Sequence, residues 1–91
     1  NKIILMNINE LIAIVKNKLE KEIVIQDLKI EDKSFLHKKH KGFDKNRFHL
    51  KLTLVSRQLA DLSRIESNKK IFKILDFEIK KYIHSIQILI R

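Results

Sequence analysis

The chain has 91 residues, no cysteine, no proline and one glycine, and its formal net charge is +9. A chain this short holds one modest core, and without cysteine it makes no disulfide, zinc knuckle or thiolate-only iron–sulfur site. The charge favours anionic partners (nucleic acid, acidic proteins or anionic membranes) without choosing among them.

The first residues, "NKIILMN", are too short an apolar stretch for a secretory signal, and no apolar run reaches bilayer length. They suggest a leader over 1–7 followed by one domain over 8–91, and a cytoplasmic protein. Asn7 and Glu10 have capping-box spacing. Ile8, Leu11, Ile12, Val15 and Leu19 then recur at helical period, which predicts a helix over 8–20. "IVIQDLKIE" (23–31) is β-branched and partly alternating, and predicts a strand.

A long connection over 32–47 follows, and loops of that length in compact domains are usually functional or disordered. It holds His37, His40 and Gly42, with Lys38, Lys39 and Lys41 interleaved. On composition alone it reads as a solvated basic loop.

The second strand is the plainest. Phe48, Leu50, Leu52 and Leu54 alternate with His49, Lys51, Thr53 and Val55, so one face is apolar and His49 lies on the other. His49 therefore reads as a structural or partner-facing histidine rather than a ligand. Residues 57–61 allow a short helical turn. Ser63 and Glu66 have a second capping-box spacing, and Ile71, Phe72, Leu75, Ile79 and Tyr82 form an apolar stripe on a helix over 64–82. The closing "IHSIQILIR" alternates, with His84 expected to point the same way as Ile86, Ile88 and Ile90.

The order α-β-β-(α)-α-β implies an α+β two-layer sandwich, with helices on one face of a three-stranded mixed sheet and a right-handed final crossover. The other face, with Lys51, Thr53 and Gln87, stays wet. No nucleophile elbow or phosphate-cradling glycine loop is present, so the chain is not expected to be an enzyme. Lys69, Lys70, Lys73, Lys80 and Lys81 form a basic row suited to salt-sensitive binding of nucleic acid.

Four stretches in order resemble the BolA family: Asp32-x-Ser34-x-x-His37-x-x-His40-x-Gly42, "HLKLTLVS" at 49–56, Ile71-Phe72, and Ile83-His84-Ser85-Ile86. The spacing from Ser56 through Phe72 to His84 matches the family pattern without a gap. Two places depart from it: Leu59-Ala60-Asp61 stands where Phe-x-Gly is usual, and Ser67-Asn68-Lys69 where Arg-His-Arg is usual.

The resemblance implies a fold like the type II KH domain. It also implies a monothiol glutaredoxin partner and a [2Fe–2S] cluster shared with that protein and glutathione. His84 would be one ligand, with His37 or His40 from the long loop the second, in iron–sulfur trafficking or iron sensing. The chain alone would be an apo monomer. A lone histidine such as His84 is ordinarily a half-buried side chain on a backbone carbonyl; the resemblance is what makes it a ligand. The alternative it carries is a DNA-binding regulator of stress or morphology. A further alternative is a stand-alone zinc or copper site of His37, His40 and His84, since imidazole suits those ions.

Overall fold

A computed structural model describes residues 6–34 and 48–91. The elements run α1 (Ile8–Glu22), β1 (Asp27–Asp32), β2 (Phe48–Val55), α2 (Arg57–Ala60), α3 (Arg64–Ile74), α4 (Asp76–Lys81) and β3 (Ile83–Ile90). The sheet order is β1-β2-β3, antiparallel between the first two and parallel between the last two. The α+β sandwich expected from the sequence is the fold found.

Helix α1 starts where Asn7 Oδ1 accepts the Asn9 amide, 2.7 Å away. The capping partner is therefore the second helical residue, and Glu10 only contributes first-turn charge. Leu11, Val15 and Leu19 are fully buried on one stripe. The helix ends at Ile23, whose φ of −132° begins an extended, β-branched stretch. The predicted strand over 23–31 is accordingly displaced. Ile23 belongs to the helix cap, and pairing begins at Asp27, opposite Val55.

Leu50, Leu52 and Leu54 of β2 are buried at the centre of the core, with Leu11, Val15, Leu19, Ile71 and Leu75. Leu28 and Ile30 of β1, and Ile86, Ile88 and Ile90 of β3, line up beside them. Burying one such leucine contributes about 2 kcal/mol, and truncating it to alanine costs about 2–5 kcal/mol.

The single helix expected over 64–82 is two. Its N-terminus is the expected capping box: Ser63 Oγ accepts the Glu66 amide at 3.1 Å, and Glu66 accepts the Ser63 amide at 3.4 Å. The helix breaks at Leu75, where ψ is 15°, and restarts with Asp76 and Glu78 in its first turn. The break reorders the apolar stripe. Ile71 and Leu75 are buried, whereas Phe72 and Phe77 are exposed and Glu78 turns inward. Glu78 Oε2 meets Lys18 Nζ of α1 at 2.6 Å, which compensates the buried charge.

Candidate histidine site on the open face of the sheet

One sheet face carries the helices. The other presents Lys29, Glu31, Lys51 and Thr53, which face one another across β1 and β2, with Ser85 and Gln87 of β3 beside His49 and Lys51. Lys33 Nζ lies 3.2 Å from Glu31 and Lys29 Nζ 4.0 Å. The hydrogen bond from Lys33, and then the charges of Lys29, Lys33 and Lys51, hold the Glu31 carboxyl below its ordinary 4.5.

His49 sits at the start of β2 on this open face, only 8% exposed. Its position is fixed from three sides. Its amide donates to Ser34 Oγ at 3.1 Å, and its carbonyl accepts the Lys33 amide at 2.7 Å. Its Nδ1 shares a 2.6 Å hydrogen bond with Ser85 Oγ. Ser34 is itself held by its amide on Asp32 Oδ1 at 2.9 Å.

His84 is where the structure corrects the sequence expectation. The β2–β3 register pairs Phe48 with Ile83 but His49 with Ser85, so His84 is one extra residue without a pairing position of its own on β2. The hydrogen bonds show the same slip. Before it, the Tyr82 carbonyl faces β2 and accepts the Phe48 amide; after it, the Arg91 amide faces β2 and donates to Leu54. Unbroken alternation would keep either even-numbered or odd-numbered residues toward β2 throughout, so the change from 82 to 91 requires one inserted residue. The bulge leaves Ile83 buried in the core and His84 exposed, no longer aligned with Ile86, Ile88 and Ile90. The His84 ring lies against that of His49, with centroids 4.9 Å apart and planes tilted by 46°.

The structure therefore joins His84 to His49, a neighbour that strand alternation alone did not give it. His37 and His40 lie outside the described residues. Among the described residues no group of three or more His, Cys, Asp or Glu side chains could hold a metal ion. What the open face offers is an exposed imidazole, a buried one behind it, and the Ser85 hydroxyl that holds the buried ring. Neutral imidazole is a competent ligand for iron, zinc and copper.

The basic row divides. Lys70 and Lys73 line a groove of about 820 Å³ between α1 and α3, together with Lys18, Lys21, Glu22 and Ile74. Lys69 is exposed on the same helix. Lys80 is paired with Asp76 at 3.2 Å, and Lys81 sits over the Phe77 and Tyr82 rings. Lys18 and Lys21 escaped the sequence reading because only the packing of α1 on α3 brings them beside Lys70 and Lys73. Two residues of the departures at 59–61 and 67–69 are structural: Leu59 is buried, and the buried Ser67 hydroxyl donates to the Leu59 carbonyl at 3.1 Å, tying α3 to α2.

A family model described as "BolA-like protein" matches residues 19–91. The chain is 27% identical over 73 residues to a Haemophilus influenzae protein named "DNA-binding transcriptional regulator BolA", across 80% of this chain and 68% of that one. It superposes on the BolA domain of SufE1 from Arabidopsis thaliana with a TM-score of 0.72 and 29% identity, covering 87% of each chain. BolA1 from the same plant gives 0.73 at 23% identity, again over 87% of each chain. No described helix is long and apolar enough to cross a membrane.

Proposed function

The chain belongs to the BolA-like family, and on that premise we propose that it is a protein partner of a monothiol glutaredoxin, to which it contributes histidine ligation of a shared [2Fe–2S] cluster. The observation that carries the reading is the bulge at His84, which holds an imidazole out on the open face of the sheet. The donor chemistry fits. Iron in such a cluster accepts two imidazoles in place of two thiolates. A chain without cysteine supplies no thiolate, so the thiolates come from the partner and glutathione. His84 is the first ligand. The second comes from the loop histidines His37 or His40, which stand in the family's loop pattern. His49 stays behind His84 as its support.

Mixing the protein with a cluster-loaded, glutathione-bound monothiol glutaredoxin tests this. A heterodimer should form whose visible spectrum differs from that of the glutaredoxin homodimer, because nitrogen replaces sulfur on one iron. His84→Ala should remove the new spectrum with the fold retained. His37→Ala and His40→Ala, singly and together, identify the second ligand. An unchanged spectrum with His84→Ala sinks the assignment.

A second reading has its own observation. The α1–α3 groove brings Lys21, Lys70 and Lys73 together with Glu22 and with Lys18, which is paired with Glu78, and a relative is named as a DNA-binding regulator. Lysines on helix surfaces hold a phosphate backbone without reading bases, so such binding would be electrostatic and indifferent to sequence.

A further inference from the structure

Strand β3 is an edge: in the order β1-β2-β3 it is paired on one side only among the described residues. Edge strands are ordinarily protected by lysine, proline or brevity. β3 has eight residues, "IHSIQILI", with no proline, and His84 is its one titratable side chain. Its backbone polarity follows from one bond. The Arg91 amide donates to the Leu54 carbonyl, and N–H and C=O groups change sides with each residue along a parallel strand. The amides and carbonyls of Ile86, Ile88 and Ile90 therefore face the free edge.

A groove of about 440 Å³ runs along that edge. Gln87, Ile88, Leu89, Ile90 and Arg91 all line it, residues of both sheet faces, so it follows the strand's rim rather than either face. Its other wall is the α2–α3 corner, with Leu62, Arg64 and Asn68. Ile65, Asn68 and Phe72 recur at i, i+3 and i+7, one side of α3. Ile65 is 68% exposed and Phe72 41%. Asn68 Oδ1 is buried and finds no hydrogen-bond donor among the described residues, an acceptor that its groove leaves unused.

We propose that this groove binds an extended segment of a partner protein, added as a fourth strand to the free edge of β3, with alternate apolar side chains against Leu62 and over the groove's rim onto the exposed Ile65 and Phe72 beside Asn68, and acidic side chains between them. Backbone groups supply the hydrogen bonds in strand addition, and pockets at alternate positions supply selectivity. Acidic character follows from charge. Arg64 and Arg91 stand in the groove, and the chain as a whole carries +9. The same charge opposes a second copy of this chain, which would bring like charges together. The site is separate from the histidines, and its test does not depend on them.

The probe is a capped peptide of about eight residues alternating valine and glutamate, titrated into the ¹⁵N-labelled full chain. Amide shifts should saturate and map to residues 62–72 and 86–91. Hydrogen exchange at Ile86, Ile88 and Ile90 should be fast in the free protein and slowed in the complex. Phe72→Ser and Ile65→Ser, both at exposed positions, should each weaken binding about fivefold with the free protein's melting unchanged. Four results would overturn the proposal. They are no saturable shift, shifts on the α1–α3 lysines instead, tighter binding of short oligothymidylate at the same residues, and self-association of the free chain through β3.

Discussion

His49 and His84 lie with ring centroids 4.9 Å apart on the sheet face opposite the helices, where a single inserted residue in β3 brings His84 beside His49. The two rings carry different duties. His49 is buried and bonded to Ser85, whereas His84 is exposed.

Their stability costs should therefore differ. His84→Ala should change unfolding free energy by no more than about 0.5 kcal/mol, as an exposed substitution does. His49→Ala removes a buried ring and takes away the imidazole bonded to the Ser85 hydroxyl, and should cost about 1–3 kcal/mol. Urea unfolding of the two variants measures this directly. Equal costs would mean that the buried ring is not a support.

How far the sequence reached follows from the period of each element. β2 was legible to the residue because an apolar side chain recurs at every second position from Phe48 to Leu54. α1 and the Ser63 cap were legible because both are local. The partition of 64–82 into two helices was not, since no glycine or proline marks the break at Leu75. The side on which His84 emerges was equally hidden. A bulge has no composition of its own, and alternation extrapolated back from Ile86 gives the opposite answer. Family spacing located the residue; only the register supplied its neighbour.

The Lys18–Glu78 pair joins α1 to α4 with the carboxylate 4% exposed and the ammonium 40%. Lys18→Met leaves Glu78 buried without its counter-charge and should cost about 1–3 kcal/mol. Adding Glu78→Leu to that variant should recover most of the loss, because an apolar pair needs no compensation. Thermal unfolding of the single and double variants decides it, and a double variant weaker than the single would contradict the pair's role.

Glu31 sets an acid dependence. Its carboxyl is held below the ordinary value chiefly by the hydrogen bond from Lys33. A depressed carboxyl stabilises the fold above its unfolded value of 4.5, and that contribution is lost as pH falls through the lower folded value. Glu31→Gln should remove this dependence, so the stability gap between parent and variant closes on acidification below 4.5 and is constant above about pH 6. The gap should also shrink with added salt, since the site is at the surface. Urea midpoints across that range provide the measurement.

The Ser63 cap offers a local test of α3. Ser63→Ala deletes the acceptor for the Glu66 amide and should cost about 1 kcal/mol, read from the urea midpoint. Ser63→Asp should keep the bond and match the parent. Because Arg64 and Asn68 line the β3 groove from this end of α3, fraying there should weaken peptide addition with no effect on the histidine face.

The lysine groove between α1 and α3 yields the last prediction. Lys18, Lys21, Lys70 and Lys73 line one cavity, and Glu22 is the carboxylate among its described lining residues. If a duplex binds there, each phosphate that a variant ceases to neutralise should lower the slope of log affinity against log salt by about 0.9. Lys70→Ala with Lys73→Ala should thus reduce that slope by up to about 1.8, while Lys80→Ala should hardly change it, because Lys80 is already paired with Asp76. Affinity should vary little among duplex sequences, since lysine lacks the fixed fork that reads guanine edges. Fluorescence anisotropy over a salt series measures both quantities. A sequence preference that persists at high salt would move the binding surface elsewhere, and an unchanged slope in the Lys70 and Lys73 double variant would remove the groove from the duplex reading.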